Sequence, residues 1–302
     1  MSTTPADQIF RQLGYGPAQP LAGGMEGDVY ALDDGLVGKI WKRAADVAGL
    51  RDFYSELAAQ RLSFATPEIV TIGNVGGTVV SVERRLTGRT MQHQLRAGAI
   101  TTKAAQECVL SIVAELAGTK AGPATRKLPV MGESPDTWPA GLIALARRRL
   151  DRFGGQLAAE IPEFRDKADR LLELLALAPE SRQIVHGDIC PENVLLDAAG
   201  NPTALLDWGY LTTAGDTAFD ASTAAGFFNM YGESARADDD ALLAEMAPIY
   251  GRDRLLLYRA AYAVIGSNAY SDDGADGHFQ WCVRQLRRDD ITALLTRPAP
   301  RR

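Results

Sequence analysis

Residues 184–210 read IVHGDICPENVLLDAAGNPTALLDWGY, and the reading of the whole chain turns on them. The runs Val194-Leu195-Leu196 and Ala204-Leu205-Leu206 flank the turn residues Ala199-Gly200-Asn201-Pro202, a pattern that predicts a β-hairpin. A hairpin doubles the chain back. Asn193, ahead of its first strand, and Asp207, after its second, are thereby turned towards one point, with Asp188 in the loop just upstream. A carboxylate, a carboxamide and a second carboxylate are hard oxygen donors, and Mg²⁺ is held by one or two such side chains together with phosphate and water. A phosphoryl group in transfer carries spread negative charge and needs both that cation and a residue to orient the attacking hydroxyl. Asn193 and Asp207 therefore read as metal ligands, and Asp188 as the catalytic residue facing the hydroxyl. A bare capped loop and hairpin is the plainer reading of the same residues.

On either side of this segment the pattern of apolar residues changes. Upstream, DVYAL and LVGKIW are short β-prone runs parted by Asp33, Asp34 and Gly35, and EIVTIG and TVVSVERRL are parted by Gly76-Gly77; these predict strands. Between the pairs, Leu50, Phe53, Tyr54, Leu57 and Ala58 recur at helical spacing over residues 47–62, before Pro67. From about Met91 helices dominate, near 101–118, 140–153 and 164–178, then again after Phe219, with breaks near Gly232, Gly251 and Asp272-Asp273-Gly274. The expected fold is α+β: a small antiparallel sheet with one helix over residues 1–86, and a larger, mainly helical part over 87–302.

The chain has 302 residues, a formal net charge of -6 and 46% hydrophobic residues. An acidic chain lacks the basic surface that nucleic acid demands, so no nucleic-acid partner is expected. The N-terminus resembles no signal peptide and no apolar run is long enough to cross a bilayer. The three cysteines have no metal or redox spacing, which fits a reducing compartment. A cytoplasmic protein with no membrane partner is expected.

The order His186-Gly187-Asp188, Asn193, Asp207-Trp208 resembles the HGDxxxxN and Asp-Trp signature of aminoglycoside phosphotransferases and their choline- and sugar-kinase relatives, which is similar to HRDxxxxN and DFG of protein kinases. The resemblance implies a bilobal, protein-kinase-like fold with an N-terminal nucleotide-binding lobe. It also implies ATP or GTP and Mg²⁺ as cofactors, Asp188 as catalytic base, Asn193 as a metal ligand and Asp207 as the principal one. Gly215-Asp216 and Phe219-Asp220 look like the family's Gly-Asp-x-x-x-Asp segment, whose later Asp holds the catalytic loop from a helix start. Gly187 in place of Arg, and the lack of an Ala-Pro-Glu segment after Asp207, argue against a protein kinase.

For the nucleotide, the resemblance points to Lys39 on the phosphates and Glu56 as its orienting partner. Alternation along VGKIW puts Lys39 on one face with Val37 and Trp41, and a lysine in an apolar strand is costly unless its charge is used. Taken alone, Lys39 and Glu56 are equally a solvated strand charge and a helix-surface charge; Lys42 is the fallback lysine. The Gly23-Gly24-Met25-Glu26-Gly27 loop does not match G-x-G-x-x-G and is by itself a plain turn; the resemblance puts a phosphate-covering loop in this place, with Gly24 as the nucleotide-binding candidate. Arg84 to Leu86 is the expected hinge against the adenine, in either of two registers. Acceptor candidates in the helical part are Asp216, Asp272, Asp273 and Tyr231, beside Glu233, Asp238 to Asp240, Asp276 and several aromatics. His93 and His278 read as structural or surface residues. The expected activity is O-phosphorylation of a small molecule, with an antibiotic such as an aminoglycoside as one acceptor. A sugar, amino alcohol or nucleoside is the alternative, and a silent nucleotide-binding module a third reading.

Overall fold

In a computed structural model, residues 5–24, 27–33, 35–42, 46–127, 137–209 and 211–297 are described. Contacts divide the chain into two units: residues 1–89 with 195–206, and 90–194 with 207–302.

The first unit opens with α1 (Pro5–Gln12), followed by β1 (Gln19–Gly23), β2 (Gly27–Ala31) and β3 (Leu36–Trp41). Then come α2 (Val47–Ala58), β4 (Ile69–Val75) and β5 (Thr78–Arg84). The strands form a five-stranded sheet in the order β1-β2-β3-β5-β4, with antiparallel pairing throughout. Phe10 of α1 is fully buried against a cluster that includes Val80 and Val82 of β5. Its ring occupies the space where a side chain at Gly38 would stand, 2.3 Å from an added Cβ. The sequence reading contained no α1, although Ala6, Ile9, Phe10 and Leu13 recur at helical spacing and face this core.

The chain then passes through β6 (Arg89–Thr90), α3 (Met91–Arg96), α4 (Thr102–Ala117), α5 (Pro123–Lys127), α6 (Trp138–Glu160) and α7 (Phe164–Leu175). β7 (Gln183–Val185), β8 (Val194–Leu196), β9 (Pro202–Leu205) and β10 (Thr213–Gly215) follow. The hairpin expected at 194–206 is β8 and β9, adjacent in a sheet with β6. Its body, 195–206, groups with the first unit and bonds there: Ala65 N donates to Thr203 O at 2.8 Å and Leu205 N to Ala65 O at 3.2 Å.

The second unit ends with α8 (Ala218–Phe227), α9 (Ala235–Tyr250), α10 (Arg252–Gly266), α11 (Gly277–Leu286) and α12 (Asp289–Thr296). Every residue of α8, and α10 from Leu255 to Gly266, is buried. A helix covered on all sides needs no polar face, and the small residues of AFDASTAAGF allow neighbours close approach. Around this pair lies a buried ionic network. Arg259, 0% exposed, donates to both Asp239 oxygens at 2.7 and 3.0 Å, and Arg288 Nη1 donates to Asp239 Oδ2 at 2.6 Å. Among the described residues no helix is long and apolar enough to cross a membrane.

Candidate active site

β7 runs into the loop His186–Asn193, which is fixed from below by α8. Asp220, in the first turn of α8 and 0% exposed, accepts from His186 N at 2.9 Å and Gly187 N at 2.7 Å. Burial pushes the Asp220 carboxyl up to about 7, partly offset by those two amide donors. Gly187 has φ 85°, and a Cβ there would lie 2.3 Å from Leu211 Cβ. The position therefore requires glycine for both conformation and space. His186 is buried, with its ring edge-on to Trp208 at 4.5 Å. Its Nδ1 accepts from Asp188 N at 3.1 Å, an ordering role that leaves the imidazole unsuited to proton transfer at Nδ1.

Asp188 is held from within the same loop. Asn193 Nδ2 donates to Asp188 O at 2.9 Å and to Asp188 Oδ2 at 3.1 Å. Burial, the charge of Asp207 and that of Glu192 raise the Asp188 carboxyl to about 6, against the Asn193 bond, which lowers it. With Nδ2 turned to Asp188, the oxygen of the Asn193 amide is the end left for a cation. Asp207 is exposed and sits at φ 61°, a left-handed conformation for a residue with a side chain. Such backbone is uncommon outside glycine, Asn and Asp, and it turns the carboxylate sharply after β9. One carboxamide oxygen and one exposed carboxylate match the few-ligand, hard-oxygen binding of Mg²⁺. Among the described residues no group of three or more His, Cys, Asp or Glu could hold a metal, so phosphate and water would complete the shell.

Asp188 lines a cavity of about 580 Å³ in the second unit. Its walls include Gln92 and Arg96 of α3, Cys190 and Glu192 of the loop, and the aromatic residues Phe227, Phe228, Tyr231, Tyr262 and Tyr270 with His278. Tyr231 is thus on the cavity wall. The other acceptor candidates are elsewhere. Asp216 is 1% exposed and engaged by Arg254, Tyr258 Oη at 2.6 Å and Ala218 N at 3.0 Å; it secures α8 to α10 and cannot meet a substrate. Asp272 pairs with Arg152 at 2.5 Å. Asp273 accepts from Ser271 Oγ and Ala275 N, so the acidic loop is self-bonded. Asp238 to Asp240 are likewise engaged by Ser234, Arg259, Arg288 and Arg236.

His278, read from sequence as a structural or surface residue, lines the cavity. Its Nδ1 lies 3.3 Å from Tyr231 Oη and its Nε2 3.4 Å from Tyr262 Oη. Desolvation by burial depresses its pKa, so the ring is neutral at pH 7. Only its helical spacing to Trp281 was visible beforehand.

In the first unit, Lys39 pairs in register with Val29 and Ser81. Its ammonium lies 3.8 Å from the centroid of the Trp41 ring, on the face that alternation assigns to it. Glu56 lies half-buried on α2. Lys42 pairs with Asp28 at 2.7 Å and donates to Gly24 O at 3.1 Å, which engages the fallback lysine in the hairpin. Gly24 N donates to Gly27 O at 2.9 Å, so this amide closes the turn and does not point to a ligand; Met25 and Glu26 lie outside the described residues. Arg84 N donates to Glu68 O at 3.0 Å and Arg85 N to Gly35 O at 2.8 Å. Both amides are therefore engaged by backbone carbonyls of the first unit, and neither is a free donor for a base.

Solved structures share this fold. A thermostable mutant of aminoglycoside phosphotransferase APH(4)-Ia, in ternary complex with AMP-PNP and hygromycin B, matches with a TM-score of 0.73 at 19% identity, covering 97% of this chain and 98% of that one. The gentamicin–APH(2")-IIa complex matches with a TM-score of 0.64 at 13% identity over 99% and 98%. A GDP complex of an aminoglycoside 2'-phosphotransferase-IIIa mutant gives 0.63 at 16% over 92% and 94%. No curated protein sequence matches the chain. The profile of the phosphotransferase enzyme family, APH, covers residues 17–258, and with the protein-kinase-like fold and the loop just described, this chain belongs to that family of small-molecule kinases.

Proposed function

We propose that the protein transfers the γ-phosphoryl group of ATP or GTP to a hydroxyl of a small molecule seated in the cavity beside Asp188. The observation that carries this reading is the Asp188–Asn193 pair at the cavity wall: Asn193 fixes Asp188 Oδ2 at 3.1 Å and leaves Oδ1 for the acceptor. Asp188 takes the hydroxyl proton as the acceptor oxygen bonds to phosphorus and the bond to the β-phosphate oxygen breaks, releasing the nucleoside diphosphate. Asn193 and Asp207 would hold Mg²⁺, which supplies charge neutralisation on the phosphates. Lys39, oriented by Glu56, binds the phosphates, and Leu86 meets the base. The neighbours' nucleotides and aminoglycosides support nucleotide use and make an antibiotic one acceptor to test.

A coupled assay of ADP release against hydroxylated small molecules tests the reading. Asp188→Ala should cut turnover by about two to four orders of magnitude, the usual reach of a general base. Near-normal turnover in that variant would remove Asp188 from the mechanism.

A further inference from the structure

The charge carried by the cavity wall is small. Besides Asp188, Glu192 is its one carboxylate among the described residues, and Arg96 stands opposite in sign. With the Gln92 amide turned to face it, Arg96 donates to the Gln92 oxygen at 2.9 and 3.0 Å from Nε and Nη2. Asp216, Asp238 to Asp240, Asp272 and Asp273 of the helical unit are engaged by other side chains, as described above, and Asp276 stands behind Tyr231 and His278 as the cap of α11, its Oδ1 accepting from Phe279 N at 2.8 Å. On the wall itself a ligand with several ammonium groups would meet only two carboxylates, Asp188 and Glu192, and one opposing guanidinium, and an ammonium left unpaired in a partly desolvated site is costly.

Aromatic surface is plentiful instead. Phe227 and Phe228 are nearly buried, whereas Tyr231 and Tyr270 are 62% and 65% exposed. Both exposed rings converge on His278: Tyr231 through its hydroxyl, and Tyr270 edge-on at 5.1 Å between centroids. His278 is itself buried and stacked on Trp281 at 5.8 Å and 20°. Two open ring faces fixed to a buried support are restrained before any ligand arrives, which lowers the ordering cost of binding.

We infer that Tyr231 and Tyr270, positioned by His278, clamp the acceptor, and that this acceptor is an alcohol with a flat apolar ring face and at most one ammonium group. The inference rests on the reading of the cavity as the acceptor site.

Binding and turnover are measured separately on the full chain. Calorimetry with Mg²⁺ and AMP-PNP present compares 2-(2-naphthyl)ethanol and 2-amino-1-phenylethanol with gentamicin, hygromycin B and glucose; ADP release is followed for the same compounds with ATP. At least one aryl alcohol should bind about 10-fold more tightly than either polycation or glucose. Tyr231→Ala and Tyr270→Ala should each raise its Kd and KM about 3- to 10-fold, the usual worth of one aromatic contact, with a smaller change in kcat. Tyr231→Phe keeps the ring and should change Kd less than its alanine counterpart. Tighter binding of gentamicin, hygromycin B or glucose overturns the clamp, as does absence of saturable aryl-alcohol binding or indifference to both alanine substitutions. Clamp-dependent binding without any phosphoryl transfer sinks the proposed function and leaves the clamp standing; efficient transfer to the polycations does the reverse.

Discussion

Asp188 shares its surroundings with Asp207 and Glu192, and that crowding, added to burial, governs its response to pH. The carboxyl is raised from 3.8 to about 6, so the folded chain holds more protons than the unfolded one between those values. Stability from this group is therefore greatest at low pH and is lost as pH rises towards 6. Asp188→Asn should stabilise the metal-free protein at pH 8 by about 1–3 kcal/mol, with the gain closing at pH 4 when melting is followed at both. Catalysis has the opposite sign, because the base must be ionised. The acid limb of kcat/KM should have a midpoint near 6, and kcat a lower one, since a cation at Asn193 and Asp207 favours the ionised form. Gly187→Ala should cost about 1–3 kcal/mol in melting experiments, from its positive φ and the Leu211 contact. At this scale HGDxxxxN announced its residues through chemistry and spacing. Asp216 misled: a carboxylate buried for structure and one displayed for binding carry the same letter.

The catalytic loop is positioned by one helix start. Asp220→Ala leaves two buried amides without their acceptor, at about 1–3 kcal/mol, and should lower kcat more than it raises KM for the nucleotide. Asp239→Ala would leave Arg259 and Arg288 without the carboxylate they share. Breaking a buried pair in this way costs about 3–5 kcal/mol, which should lower Tm on the order of 10 °C; retention of the normal Tm would show that the network is dispensable. Elements with strong patterning were legible: the hairpin at 194–206, the helix at 47–58 and the long helices of the second unit. β10 was not, because Thr213–Gly215 owes its form to pairing with β7; α1 was written in the spacing of Ala6, Ile9, Phe10 and Leu13, and only its seat above Gly38 was hidden. The cavity wall was half legible. Its aromatics stood out by type, but His278 carries no local mark of the rings that meet on it.

For the molecule as a whole, the change from strand to helical patterning near residue 90 was readable, since sheets and helices impose different apolar periods. The allegiance of 195–206 was not. That stretch follows the helical region in sequence but bonds to Ala65 and, through Thr203 Oγ1 at 2.7 Å, to Thr87 O. A single cut in the gene therefore separates nothing cleanly. A fragment ending at residue 89 would lack twelve residues that complete it, 195–206, while the remainder would carry Leu195, Leu196, Ala204 and Leu205 bare of their covering. Expressed singly, both pieces should aggregate; expressed together, they should recover a soluble assembly. Exchange of whole lobes between relatives by one crossover is barred for the same reason, and successful chimaeras will need a second junction on each side of that short insert.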